Sequence, residues 1–165
     1  MAKRKRKKST VSRKKGVNRF AFLKNERVHF LTGVVIAFIG IFLLLAIISF
    51  FFTGAADQSK VLNRSFFELA RSGNSGVDNW TGAGGAFLAE MLVNEWFGIF
   101  YVMIPLFMIY IGLRIMKVSN LTFIKALLIT SFGLISGSIA SAFILGKLFP
   151  DSHVNWGGAH GTQIE

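Results

Sequence analysis

The polar side chains closest to an apolar stretch are Glu90, Asn94 and Glu95. A carboxylate held at membrane depth is the kind of group that carries ions or protons across a bilayer. Glu90 and Asn94 are four positions apart, so on a helix they share a face and can form a hydrogen bond. We favour a place at the outer interface over an ion path, because a helix over 86–113 would be about 42 Å long against roughly 30 Å of hydrocarbon.

The sequence offers no candidate residues for a metal site, a reactive thiol or a nucleotide-binding site. The chain has no cysteine, and His153 and His160 lie in a glycine-rich stretch without a third ligand, so no metal or thiol site is predicted. No phosphate-binding loop of the form G-x-x-x-x-G-K-S/T occurs, since Gly146-Lys147 lacks the upstream glycine. We therefore expect no catalytic residue, no cofactor and no ATP hydrolysis.

Three apolar runs are predicted to form the helices that position the side chains of Glu90, Asn94 and Glu95. The first runs from Phe30 to Phe52 without a charge, the second covers 96–113 and the third 126–146. As helices they reach about 34, 27 and 32 Å against about 30 Å of hydrocarbon, so each can span the bilayer and the second is a short but sufficient span. With 52% hydrophobic residues, the sequence predicts an all-α membrane protein with three complete spans in a membrane domain over 29–148.

Basic flanks predict the orientation of these spans. Residues 1–28 hold twelve of the nineteen Lys and Arg, and Arg114 and Lys117 follow the second run. Because basic flanks stay cytoplasmic, we expect the N-terminus inside. With three spans, we then expect residues 54–95 outside, residues 114–125 inside and residues 149–165 outside. The alternative, a signal peptide cleaved near Thr53, would need a shorter apolar core of about 7 to 15 residues.

The basic tail, residues 1–28, is too charged and too poor in large apolar side chains to pay for chain ordering, so we expect it to be disordered. It contributes most of the net charge of +11. Beside a span the nearest polyanion is the surface of anionic lipids, worth up to about 1 kcal/mol per basic residue. Nucleic acid remains an alternative partner for the tail. The residues predicted to contact lipid are Lys3, Arg4, Lys5, Arg6, Lys7 and Lys8.

Two features predict how the helices pack. Gly133, Gly137 and Ser141 recur every four residues in the third run, a spacing that lets helix backbones approach closely in lipid. Whether they meet another helix of this chain or a second copy stays open. In the second run Pro105 removes one backbone hydrogen bond, which predicts a kink.

The outer loop carries a short amphipathic pattern. Val61, Leu62, Phe66 and Leu69 recur at helical spacing between charged residues, which predicts a short surface helix. Ser65 and Glu68 match a capping box near its start.

An internal echo predicts two glycine-rich turns at the outer face. Asn79-Trp80-Thr81-Gly82 precedes the second run, and Asn155-Trp156-Gly157-Gly158 follows the third. If the first introduces a returning helix, the second does too, so we expect two hairpins whose last helix is missing. The turn glycines predicted are Gly84, Gly85, Gly157 and Gly158.

Residues 84–113 carry a family resemblance. Gly84-Gly85, then Leu88-Ala89-Glu90, Phe97-Gly98 and a Tyr101 to Pro105 stretch are similar to the second transmembrane helix of FtsK/SpoIIIE DNA translocases. In that family the same features follow one another in this order: a Gly-Gly turn, a helix with Leu, Ala and an acidic residue, a Phe-Gly pair, and a Tyr before a Pro. The resemblance covers about 29–161, the family's N-terminal four-helix transmembrane domain without its last helix, and no motor follows.

The resemblance implies a role in bacterial cell division and chromosome segregation. In the family this inner-membrane domain anchors and assembles a hexameric cytoplasmic motor, which uses ATP to pump DNA through the closing septum. It implies homo-oligomers of the full-length protein, other division proteins as partners, and DNA contact only through the missing motor. The alternatives are a small membrane transporter or channel subunit, which would need buried polar groups in mid-span, and a membrane enzyme, which would need a catalytic cluster.

Overall fold

The computed structural model describes residues 25–62, 64–71 and 76–162. The predictions for Lys3 to Lys8 and for the disordered tail lie outside these ranges. The described residues form helices joined by turns and loops, and they contain no strand. In chain order they form α1 (Glu26–Val61), α2 (Phe66–Arg71), α3 (Gly82–Glu90), a π-helical segment (Met91–Phe97), a 3₁₀ segment (Gly98–Val102), α4 (Met103–Ile115), α5 (Phe123–Leu148) and α6 (Gly158–Thr162).

Helix α1 is longer than the apolar run inside it. Its N-cap is Asn25, whose side chain accepts a hydrogen bond from the backbone N–H of Arg27 at 3.0 Å. Its 36 residues reach about 54 Å, so it continues nine residues, or about 14 Å, beyond Phe52. Ala, Gln and Lys in this extension favour helix, and Asp57 within it is buried. The extension therefore carries α1 past the end of its apolar surface.

The surface helix predicted around Val61 to Leu69 is wrong as a single element. Val61 is the last residue of α1, and Leu69 belongs to the separate helix α2. Both side chains are buried in a small core together with Val77, Ala83 and Ala86. The Ser65–Glu68 capping box is confirmed, because each backbone N–H donates to the other's side chain, at 3.0 and 3.3 Å.

The second apolar region is helical from Gly82 to Ile115, but it is not one regular helix. The break is at Gly98, where φ is 65° and ψ is −149°, a conformation open only to glycine. Pro105 lies in the first turn of α4, where backbone N–H groups have no acceptor within the helix. A kink was predicted at Pro105, but the helix is broken seven residues earlier, at Gly98, whose backbone conformation is not helical.

The closest approach between long helices is between α1 and α4, which run antiparallel. A Cβ added to Gly112 would lie 2.5 Å from the backbone oxygen of Gly33 and 2.7 Å from the Cβ of Ala37. A Cβ on Gly40 would lie 2.9 Å from the backbone oxygen of Pro105. Glycine at these positions lets the two backbones pack directly against each other.

Three helices are long and apolar enough to cross a membrane, namely Glu26–Val61, Gly82–Ile115 and Phe123–Leu148. Their outward faces are apolar: Phe38, Phe52 and Phe132 are between 71% and 76% exposed. The predicted all-α polytopic membrane fold is confirmed. The main core lies between α1, α3, the π-helical segment and the stretch before α6. It contains Ala46, Ile47, Phe50, Ala89, Leu92, Val93, Tyr101 and Val154.

The bundle has two different ends. At the end that we call the loop end, the last turns of α1 meet α2, the loop 76–81 and the segment 152–162. At the opposite end, called the turn end, the start of α1 meets the turn 116–122, and the exposed Lys117 and Glu26 form a salt bridge at 3.0 Å.

Candidate functional site: a polar network at the loop end

Two carboxylates are buried among the described residues, and both lie at the loop end. Asp57 is 2% exposed and Glu90 is 7% exposed. Asp57 follows Phe52, the last residue of the first apolar run, by five positions, which is about 8 Å along α1. Buried charges need hydrogen-bond partners, so the contacts of these two residues show what holds this end together.

Glu90 is held by amides from two elements. Its Oε1 accepts hydrogen bonds from Gln58 Nε2 on α1 and from Asn94 Nδ2 in the π-helical segment, each at 2.9 Å. The predicted bond between Glu90 and Asn94 is thus confirmed. Because Gln58 lies beyond the apolar run of α1, the position of Glu90 favours the interface interpretation over an ion path through mid-span.

Asn94 also binds the segment that precedes α6. Its Oδ1 accepts from the backbone N–H of Asn155 at 2.7 Å, and its Nδ2 donates to the backbone oxygen of His153 at 3.2 Å. Asn155 Nδ2 donates back to the Asn94 backbone oxygen at 3.3 Å. That oxygen is free because Ile99, five residues on, donates its N–H to Trp156 instead of to the helix. The π-helical irregularity is therefore what allows this reciprocal contact.

The turn at 155–158 is fixed from both sides. Ser141 Oγ and the backbone N–H of Ile99 both donate to the Trp156 backbone oxygen, at 2.7 and 3.1 Å. Ser138 Oγ donates to the Gly157 backbone oxygen at 2.6 Å. Gly158 has a φ of 62°, and a Cβ there would lie 2.2 Å from the Trp96 backbone oxygen. This turn thus joins α5 to the break at Gly98.

The turn at 79–82 repeats this arrangement against α1. Asn79 Nδ2 donates to the Ala46 backbone oxygen at 3.1 Å, and the Trp80 N–H donates to Ser49 Oγ at 3.0 Å. In both turns the glycine N–H donates to the asparagine carbonyl, from Gly82 to Asn79 and from Gly158 to Asn155. The sequence echo therefore corresponds to two turns of the same kind, each followed by a helix.

Of the four glycines predicted for these turns, two lie in a turn and two lie within a helix. Gly84 and Gly85 lie within α3, and the turn residue is Gly82, whose φ of 76° suits glycine. Gly85 is constrained by packing instead, because a Cβ would lie 1.7 Å from Thr81 Oγ1. Gly157 and Gly158 lie in the turn at 155–158.

Asp57 fixes the loop 76–78, a role that was not predicted from the sequence. Its Oδ1 accepts from the backbone N–H of Asp78 at 2.8 Å and lies 3.6 Å from Lys60 Nζ. The available signal was the i, i+3 spacing of Asp57 and Lys60 just after an apolar run, which indicates that a helix continues.

The small residues of α5 face this chain rather than open space. A Cβ on Gly137 would lie 2.1 Å from the Phe100 ring, and Ser141 bonds to Trp156. Gly133 is less confined, since its nearest neighbour is the Met103 side chain at 3.6 Å. The closer contact between α1 and α4 was not predicted, although Gly33 and Ala37 in the first run show the same four-residue spacing.

The arrangement holds segments of the chain together. Within the described ranges no cluster of three or more His, Asp or Glu could hold a metal ion. The carboxylates of Asp57 and Glu90 accept hydrogen bonds from backbone and amide N–H groups. The chemistry that this network supports is the fixation of two loops on a membrane bundle.

The sequence matches the family described as the 4TM region of DNA translocase FtsK/SpoIIIE over residues 25–165. This range includes every helix described above. No curated protein and no solved structure gives a significant match. The resemblance seen in residues 84–113 is confirmed, and the chain belongs to the family of FtsK/SpoIIIE membrane domains.

Proposed function

We propose that this chain is the membrane-anchoring and assembly domain of a septal DNA translocase that acts in bacterial cell division and chromosome segregation. The observation that carries the proposal is the family match over 25–165, which spans the whole described bundle. The three long apolar helices supply the anchor.

The distribution of polar groups supports an anchor better than a conduit. The buried carboxylates Asp57 and Glu90 lie at the same end of the bundle, and each is bonded to a loop or a neighbouring helix. A path for ions would need such groups along the length of the spans. We therefore prefer the assembly function to that of a transporter or channel subunit, and we expect no ATP hydrolysis by this chain.

The proposal includes an orientation and partners. The N-terminus and the turn end lie in the cytoplasm, with the basic tail on anionic lipid, and the loop end faces outward toward other division proteins. In the full-length protein the domains come together as a homo-oligomer. DNA is bound by the motor and not by this membrane domain.

Localisation in dividing cells tests the septal role. The chain with a fluorescent protein at its N-terminus should concentrate at division sites. The control is an unrelated three-span protein with the same tag, because two membranes lie side by side at a closing septum and raise any membrane signal there. Enrichment above this control supports the proposal, whereas a distribution equal to the control contradicts it.

A further inference from the structure

A cavity of about 380 Å³ opens at the loop end between α1, the π-helical segment and the end of α5. Among the described residues, four buried side-chain polar atoms have no hydrogen-bond partner. Three of them, Glu90 Oε2, His153 Nε2 and Trp156 Nε1, belong to residues that line this one cavity. Buried polar atoms are nearly always paired in folded proteins, so an occupant that reaches these three groups would complete the hydrogen bonding of this wall.

The three atoms define the chemistry of an occupant. A carboxylate only accepts hydrogen bonds, an indole N–H only donates, and an imidazole nitrogen does either. The occupant must therefore both donate and accept. Glu90 forms no salt bridge with a basic residue in the described ranges, so a cationic donor would also balance the charge of its carboxylate. A primary ammonium joined to an oxygen acceptor carries the donors and the acceptor that these three groups can pair with.

The place of the cavity identifies the source of that group. Its wall includes Gly146, Phe149 and Pro150, at the end of the third apolar run. Phe149 is 54% exposed and the neighbouring Leu148 is 64% exposed, so apolar surface reaches the cavity mouth. On the α1 side, Gln58 lies about 9 Å beyond the end of the first apolar run. This is the level of the lipid headgroups.

We propose that the cavity binds the headgroup of an ethanolamine phospholipid. The ammonium donates to Glu90 Oε2 and His153 Nε2, and a phosphate oxygen accepts from Trp156 Nε1. The acyl chains lie along the exposed apolar surface at Leu148 and Phe149. Such a lipid would join α1, the π-helical segment and α5 at the point where the network is incomplete. The proposal does not depend on the septal role.

Native mass spectrometry of the purified chain tests the binding. The detergent-solubilised protein is given ethanolamine, choline and glycerol phospholipids with identical acyl chains. Choline lacks N–H donors, so we expect the ethanolamine lipid to be retained at least about tenfold better, as one hydrogen bond to a charged group would give. Equal retention of the ethanolamine and choline lipids overturns the proposal. Two competitors test the lipid assignment: glycerophosphoethanolamine, which has no acyl chains, and a lysine-containing peptide. If either of them displaces the lipid at equal concentration, the lipid assignment is overturned.

Substitutions locate the site. Glu90→Gln should reduce retention of the ethanolamine lipid to that of the choline lipid. The matched control is Glu95→Gln, an exposed position in the same π-helical segment that does not line this cavity, and it should retain the preference. Equal loss in both variants overturns the site. Circular dichroism checks the fold, and if Glu90→Gln unfolds, Trp156→Phe decides: it should lower retention several-fold, and unchanged retention overturns the proposal.

Discussion

At the scale of single residues, Gly98 and Gly158 bring two backbone segments closer than a side chain would allow. Both have positive φ, and Gly98 adopts the φ and ψ of a region that other residues avoid. A Cβ on Gly98 would lie 1.9 Å from the Trp156 backbone oxygen. The sequence indicates that Phe97-Gly98 is a notable pair, but only the approach of Trp156 explains why glycine is required.

Replacing Gly98 tests this close approach. Gly98→Ala should destabilise the bundle by several kcal/mol, because it combines backbone strain with overlap against Trp156. The matched control is Gly76→Ala, which also has positive φ but has no atom within 4 Å of the added Cβ, and should cost only about 1 kcal/mol. Thermal unfolding in detergent measures both. Equal losses in the two variants would show that the Trp156 contact is unimportant.

The capping box at α2 makes a prediction about pH. The backbone N–H of Ser65, and then its side chain, hold the pKa of Glu68 below its ordinary value. A lowered folded-state pKa means that this contact stabilises α2 above the unfolded pKa and is lost as pH falls through the folded pKa. Ser65→Ala should raise the pKa of Glu68 part of the way, since the backbone N–H remains. An NMR titration checks this, with Ser119→Ala as control, and an unchanged pKa would contradict the assignment.

At the scale of elements, the long apolar helices could be predicted because lipid demands long uncharged runs with internally bonded backbone. Their irregularities could not. The extension of α1 to Val61 depends on Asp57 finding a partner in the distant loop at Asp78. The break at Gly98 depends on the segment at 156–158. The small-residue pattern predicted packing on α5 at Gly137, yet the same pattern did not reveal which helix pair lies closest.

The contact between α1 and α4 can be tested with two glycine substitutions. Gly112→Ala should destabilise the protein by about 1 to 3 kcal/mol, because its Cβ would overlap the Gly33 backbone oxygen and Ala37. Gly133→Ala, also within a helix, meets only the Met103 side chain at an ordinary distance. It should be neutral or stabilising by up to about 1 kcal/mol. Denaturation followed by circular dichroism compares them, and a larger loss in Gly133→Ala would refute this packing.

At the scale of the whole molecule, the two ends of the bundle differ in their buried polar groups. The loop end has the buried network around Glu90 and Asp57. The turn end has basic residues, with Arg114 in the last turn of α4 and Lys117 after it. The loop end also carries basic residues, namely Lys60, Arg64, Arg71 and Lys147, so the orientation that we propose depends on the tail. Residues 1–28 hold twelve of the nineteen Lys and Arg, and basic flanks remain cytoplasmic.

Site-specific labelling tests whether three helices cross the membrane and separate these two ends. The chain has no cysteine, so single substitutions report without background. The variants Ser119→Cys at the turn end and Ser152→Cys at the loop end are treated in intact cells with a membrane-impermeant maleimide. We expect Ser152→Cys to react from outside, and Ser119→Cys to react only after the membrane is permeabilised. Labelling of Ser119→Cys from outside, or of both variants from the same side, would contradict the account.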